Sequence, residues 1–264
     1  MKRAAISRNI PMLLLIVLLS VLVGSLETPA RAASYYRMFG DDTPIPVTLA
    51  EQFPYAQIGY VDGGCTGAII GPHHVLTAGH CLYEPEGYGR YREKSVRWFW
   101  PGRNGQPDSD ADRSAYKARW SKGPHEYIDL HQTTHDYAVL LLEKDIGLGR
   151  NYREMQATSS IPNKLRIKIV GYPTNKQVGT MWESGICPVD KRTEVQFFYK
   201  CSQWVGNSGS PLIYYGNDGP IIVGIATYGY NEYFPVDAPP AMYNVATRLN
   251  RKAIKQITEW IKHW

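Results

Sequence analysis

The sequence predicts an all-β protein closed by one C-terminal α-helix. Short runs rich in Val, Ile, Tyr and Thr are interrupted at brief intervals by Gly, Pro, Asn and Asp, the pattern of a sandwich or barrel built from many short strands. Only after Asn250 does the apolar spacing change to steps of three and four. No repeat of fixed period and no low-complexity linker divides the 264 residues.

The expected strands, in chain order, cover residues 57–61, 65–70, 75–78, 96–100, 138–142, 165–171, 195–199, 211–215, 221–227 and 242–246. Gly63-Gly64, Asn104-Gly105 and Asn217-Asp218-Gly219 supply turn signals between them. The polar stretch 101–134 reads as a surface insertion, because it offers no apolar run. Over residues 250–264, Ala253, Ile254, Ile257, Trp260, Ile261 and Trp264 form one apolar stripe with Lys, Gln and Glu between them. That is an amphipathic helix seated on a core, with Asn250 as its cap; a partner-binding or membrane helix is the alternative.

The first residues set the compartment. Lys2, Arg3 and Arg8 precede an apolar run from Met12 to Val23, and Ala30-Arg31-Ala32-Ala33 offers an Ala-x-Ala cleavage site. This order is that of a secretory signal peptide over residues 1–33. A transmembrane anchor would need about 20 apolar residues, and this run has twelve. Residues 34–45 are expected to be a short propeptide or N-terminal arm, and 46–264 the folded domain. No later segment is apolar enough to span a bilayer, so the exported chain is expected to be secreted (extracellular or periplasmic), monomeric and free of the membrane.

Residues 1–33 carry four basic residues and one acidic one, so the formal charge of +5 falls to +2 without them. No dense Lys/Arg block remains, which argues against nucleic acid or an anionic membrane as partner. About 230 residues are ample for a sizeable core in one all-β unit. Four cysteines remain in an exported chain: Cys65, Cys81, Cys187 and Cys201. They allow three pairings, of which the local pairs Cys65–Cys81 and Cys187–Cys201 are expected. No C-x-x-C spacing suggests zinc ligation instead.

Three segments carry chemistry. In Leu76-Thr77-Ala78-Gly79-His80-Cys81, an imidazole sits beside a cysteine that can tether its loop to Cys65. A general base needs such fixation, since a displacement of about 1 Å can cost about a hundredfold in rate. In His135-Asp136-Tyr137-Ala138-Val139-Leu140-Leu141-Leu142, the carboxylate opens a buried strand, where it could hold an imidazole tautomer. Asp129 and Asp145 are rivals by residue type, but neither opens so long an apolar strand. In Gly206-Asn207-Ser208-Gly209-Ser210-Pro211, a glycine two positions before a serine lets the N–H groups of Gly206 and Ser208 converge on one point, as an oxyanion hole requires.

Together these segments resemble the three catalytic blocks of chymotrypsin-like serine proteases. Cys65-Thr66-Gly67, Ile70-Gly71-Pro72, Pro101-Gly102-Arg103-Asn104-Gly105, Gly171-Tyr172-Pro173 and Ala246-Thr247-Arg248 are similar to the bacterial glutamyl endopeptidase branch. The resemblance runs from about Pro46 to the C-terminus. It implies two perpendicular six-stranded antiparallel β-barrels, with His80, Asp136 and Ser208 as a catalytic triad between them. It also implies an endopeptidase acting on protein or peptide substrates through an acyl-enzyme, with no cofactor and no metal.

In that fold the substrate lies as an added strand against Thr227-Tyr228-Gly229. The side chain before the scissile bond then enters a pocket near Ser202, Gln203 and Ala226. The chain departs from the branch at two of these places: members that cleave after Glu typically carry His where Ala226 stands and Thr where Gln203 stands. Ser202 provides no negative charge for Lys or Arg. The pocket is therefore expected to favour uncharged residues, with Glu at best modestly preferred unless the mature N-terminal amine reaches it. Asn207 stands where trypsin-type enzymes have the Asp that pairs with the new N-terminus, so that zymogen switch is expected to be absent.

Rival readings fit less well. An α/β-hydrolase elbow reads G-x-S-x-G and its triad runs Ser, Asp, His, whereas position 210 is Ser and the order here is His, Asp, Ser. A non-catalytic binding module on this fold would be expected to lack a triad member. Asp108-x-Asp110-x-Asp112 begins like a calcium loop, but Arg113 and Arg119 occupy the Gly and Glu positions. His125-Glu126 lacks the second His of a zinc-protease helix, leaving His125, His131 and His135 as surface histidines.

Overall fold

A computed structural model describes residues 39, 44–86, 90–96, 98–105, 115–147, 157–229 and 243–263. All of them belong to one compact unit, Ser34–Trp264. The signal segment, nearly all of residues 34–45, the acidic run Asp108–Asp112, Met242 and Trp264 lie outside the described residues.

Two closed six-stranded antiparallel barrels and a terminal helix make up the fold. The first barrel is formed by β2 (Ile58–Val61), β3 (Cys65–Gly71), β4 (His74–Thr77), β7 (Trp98–Pro101), β8 (Tyr116–Lys122) and β9 (Ala138–Leu142), closed in the order β2-β3-β4-β9-β8-β7. A two-stranded ribbon, β5 (Tyr83–Glu86) with β6 (Arg90–Glu93), stands beside it. The second barrel comprises β10 (Arg166–Gly171), β12 (Cys187–Arg192), β13 (Gln196–Tyr199), β14 (Pro211–Gly216), β15 (Gly219–Gly229) and β16 (Asn244–Arg248). Its ring closes because β10 pairs with both β12 and β14. The short β11 (Trp182–Glu183) adds to β10 and carries β1 (Ile45–Pro46) on its far side.

Apolar residues fill each barrel. Ile58, Val61, Ile69, Leu76, Phe99 and Leu140 belong to the first core, and Ile167, Ile169, Phe197, Leu212, Val223 and Ala246 to the second. The helix Arg251–Lys262 packs through Ala253, Ile257 and Trp260, three residues of the expected stripe. The Asn250 side chain accepts a hydrogen bond from Ala253 N–H at 2.9 Å and so caps it. Tyr137 O–H, just before β9, donates to Gln256 of this helix at 2.5 Å.

All ten expected strands exist within a few residues, since Gly, Pro and Asn mark their ends. One expectation is corrected: the stretch 101–134 is not merely an insertion. It contains β8, which pairs with β7 and β9 and closes the first barrel. The sequence Tyr-Lys-Ala-Arg-Trp-Ser-Lys leaves none of its residues fully buried, so it offered no apolar run to detect. β12 was missed for the same reason.

Candidate active site

Register in the first barrel brings the imidazole and its carboxylate together. Thr77, at the end of β4, is paired with Ala138, at the start of β9. The chain beyond Thr77 turns at once into the single-turn helix Gly79–Leu82, which carries His80. The chain entering Ala138 carries Asp136. The two functional residues thus project from the same end of adjacent strands.

Asp136 is completely buried and makes two bonds to one residue. Its Oδ1 accepts from His80 N–H at 2.8 Å, and its Oδ2 lies 2.7 Å from His80 Nδ1. A carboxylate only accepts, so Nδ1 bears the proton and Nε2 of the neutral ring is an acceptor. Ser208 Oγ lies 2.7 Å from that Nε2, placed to donate its proton. Gly79 is required here: a Cβ would come within 2.8 Å of the Tyr127 ring and 2.9 Å of Asp136 Oδ1.

The rivals are accounted for locally. Asp129 lies 2.6 Å from His125 on an exposed turn, and Asp145 accepts from Gly147 N–H at 2.8 Å. His135, beside Asp136, is pushed below its ordinary range by burial, although Glu126 acts against that shift.

Both disulfides have the expected pairing, with Cα–Cα distances of 6.1 Å for Cys65–Cys81 and 5.6 Å for Cys187–Cys201. The first fastens the His80 turn to β3. Ligand atoms of Cys65, Cys81 and His80 lie within 4.8 Å of one another, but the two sulfurs are bonded to each other and offer no thiolate for a metal.

Ser208 belongs to the loop preceding β14 of the second barrel. Gly206 has φ +96°, and a Cβ there would come within 2.2 Å of the Tyr172 carbonyl oxygen. Val205 C=O accepts from Thr174 N–H at 2.7 Å, and Asn207 C=O accepts from Ser210 N–H at 2.9 Å. In a trans peptide the N–H points opposite its carbonyl. The N–H groups of Gly206 and Ser208 are therefore turned away from these two internal bonds, as an oxyanion hole needs.

Thr66, a residue not singled out as functional from the sequence, binds this loop to the first barrel. Its N–H donates to Ser208 C=O at 2.8 Å, and its hydroxyl donates to Gly206 C=O at 2.8 Å while accepting from Tyr172 N–H at 3.1 Å. Thr77 O–H secures the Thr66 carbonyl at 2.7 Å. Lys94, also missed, donates to the His80 carbonyl at 2.7 Å. A lone Thr or Lys carries no sequence signature for such a role, because its partners are distant in the chain.

On the other side of Ser208, β14 pairs with β15 only as far as Pro211↔Ile225. Beyond that point Tyr228 and Gly229 are paired with Val245 and Asn244 of β16, and no further strand covers their other edge among the described residues. Ala226 and Thr227 are buried beside them, as are Ser202 and Gln203.

Two closed barrels with a Ser–His–Asp hydrogen-bonded series between them define a hydrolase of the serine-peptidase class. The Trypsin family model matches residues 47–257, and the chain belongs to that family and is a serine-type endopeptidase. It is 29% identical over 248 residues to a glutamyl endopeptidase of Bacillus licheniformis, covering 89% of this chain and 72% of that one. It is 27% identical over 216 residues to an extracellular metalloprotease of Bacillus subtilis, covering 81% of this chain and 62%, less than two thirds, of that one. A solved structure of a Glu endopeptidase in complex with MPD superposes with a TM-score of 0.69 at 25% identity, over 86% of this chain and all of the other.

Proposed function

We propose that the chain is a secreted endopeptidase in which Ser208 is the nucleophile, His80 the general base and Asp136 the residue that orients and stabilises the imidazolium. The observation that carries this reading is the continuous series Ser208 Oγ–His80 Nε2 and His80 Nδ1–Asp136 Oδ2, each 2.7 Å. Ser208 Oγ attacks the scissile carbonyl as its proton passes to Nε2, and the Gly206 and Ser208 N–H groups receive the oxyanion. His80 returns the proton to the leaving amine. Water then repeats the sequence on the acyl-enzyme with the same base.

The substrate adds as a strand on the open edge of Thr227, Tyr228 and Gly229, so backbone bonds give affinity and alternate side chains enter pockets. Secretion is supported by the signal-like residues 1–33, by two disulfides and by the relative named as extracellular. Residues 34–45 then form an arm or propeptide ahead of a monomeric domain.

Ser208→Ala tests the reading. Fluorophosphonate labelling and peptide turnover should both disappear, turnover by several orders of magnitude, while the fold is retained. Undiminished labelling of the mutant would remove Ser208 from the mechanism.

A further inference from the structure

The groups near the open strand edge have different amounts of hydrogen-bonding capacity left. Ser202 O–H accepts from Phe39 N–H at 3.0 Å and donates to Phe39 C=O at 3.2 Å. A hydroxyl has one proton and two lone pairs. Its donor is therefore spent and one lone pair remains. Thr227 O–H is directed at Val245 C=O, 3.4 Å away, and Ala226 has nothing polar to offer.

Gln203 is different. It is 1% exposed, and its Oε1 accepts from Tyr199 O–H at 2.8 Å. Val245 C=O lies farther from the same hydroxyl, at 3.4 Å, so the single phenolic proton goes to Gln203. That fixes the amide with its oxygen on Tyr199 and its nitrogen turned away. Nε2 is buried and has no hydrogen-bond partner among the described residues. A buried amide donor without a partner is unusual enough to require a reason.

Its place in the fold supplies one. Tyr199 touches both Gln203 and Val245, and Val245 is the residue paired with Tyr228. Asn244, paired with Gly229, donates from Nδ2 to Cys201 C=O at 2.8 Å. Gln203 is thus held near β16, one strand in from the edge on which the substrate would lie, and five residues before the proposed nucleophile.

We propose that Gln203 is a specificity-determining residue and that it selects glutamine before the scissile bond; this rests on the reading of Ser208 as nucleophile. Gln203 Nε2 donates to the side-chain carbonyl of the substrate glutamine. The substrate's own amide donates to the remaining lone pair of Ser202 Oγ. Glutamate would bury a carboxylate among side chains that bring no cation, with one of its oxygens facing a lone pair. Lysine would set a donor against a donor. Methionine has similar length and volume but leaves Nε2 unpaired, so it isolates the hydrogen bond.

The test uses purified enzyme whose active fraction is first counted with a fluorophosphonate. Four peptides differing only in the residue before the cut, Gln, Glu, Met or Lys, are then compared by kcat/KM. Glutamine should exceed methionine by about tenfold or more, exceed glutamate by at least as much, and lysine should be poorest. In Gln203→Met the glutamine-to-methionine ratio should fall to near one. Equal rates for Gln and Met in the wild type would overturn the inference without any variant. A preference for Glu would overturn it by showing that a cation reaches the pocket, and a preference for Lys would mean that the amide is turned the other way. Absence of fluorophosphonate labelling would fail differently, removing the nucleophile assignment and this inference with it.

Discussion

Replacing Thr66 by Val should reveal how strongly the nucleophile loop depends on the opposite barrel. Valine fills almost the same space, so no cavity confuses the result. What disappears is one hydroxyl that serves two backbone groups: Gly206 C=O, 2.8 Å away, and Tyr172 N–H, 3.1 Å away. Both bonds are buried, and neither group gains a substitute. At about 1–3 kcal/mol for each orphaned group, the variant should lose about 2–6 kcal/mol of stability. The Gly206–Asn207 peptide, which lies between the two N–H groups, also loses the bond that fixes its carbonyl, so the pair should converge less well on the oxyanion. The ceiling for that effect is complete loss of one donor, about 10²–10³ in kcat; a partial effect of about ten- to hundredfold is expected. Urea denaturation and steady-state kinetics on one peptide measure the two quantities, with Thr66→Ser as the variant that keeps the hydroxyl. If Thr66→Val unfolds within about 0.5 kcal/mol of wild type and turns over normally, the loop is held by something else and the reasoning is wrong.

Other expectations follow from the same contacts. Asp136→Asn should lower kcat by about 10⁴ while the protein remains folded, because the amide stabilises the wrong imidazole tautomer; unchanged kcat would mean another carboxylate orients His80. Replacing both Cys65 and Cys81 by Ala should cost about 3 kcal/mol in denaturation, with an added loss of kcat because the His80 turn is no longer fastened. Glu126 accepts from the Lys252 ammonium, whose hydrogen bond holds the carboxyl below its ordinary range. A depressed carboxyl pKa stabilises the fold above the unfolded value and loses that contribution as pH falls through the folded one. Lys252→Met should therefore be less stable than wild type at neutral pH, by less than about 1 kcal/mol for so exposed a lysine, and equal to it in acid. Asn250→Ala should cost about 1 kcal/mol, read as an earlier thermal midpoint.

Which residues would lie together at the site was more legible in the sequence than the architecture that holds them. Asp136 could be chosen over Asp129 and Asp145 because a buried strand follows it, and the structure places those two rivals on His125 and Gly147. The strands that were readable are those with apolar runs, such as β9, all of whose residues are buried. β8 and β12 were unreadable because a strand whose exposed face is charged looks like a loop. Thr66 and Lys94 gain their importance from partners that only folding brings to them, and no local pattern can announce that. The disulfides were the intermediate case: spacing suggested local pairs, but only folding could decide among three arrangements.

The division of the active site between two barrels has a consequence for how the enzyme comes into being. His80 and Asp136 lie on the first barrel and Ser208 on the second, joined by Thr66. The ring that carries Ser208 needs β16, Asn244–Arg248, which bridges β13 and β15. The ring that carries His80 and Asp136 closes without β16, so the proposed base and its carboxylate partner can be set while the proposed nucleophile is not. Until β16 is paired, the Ser208 loop lacks the closed ring that carries it, and the proposed nucleophile should not act. Latency of this kind is topological: activity waits on the pairing of one strand, whether or not a propeptide also restrains the enzyme.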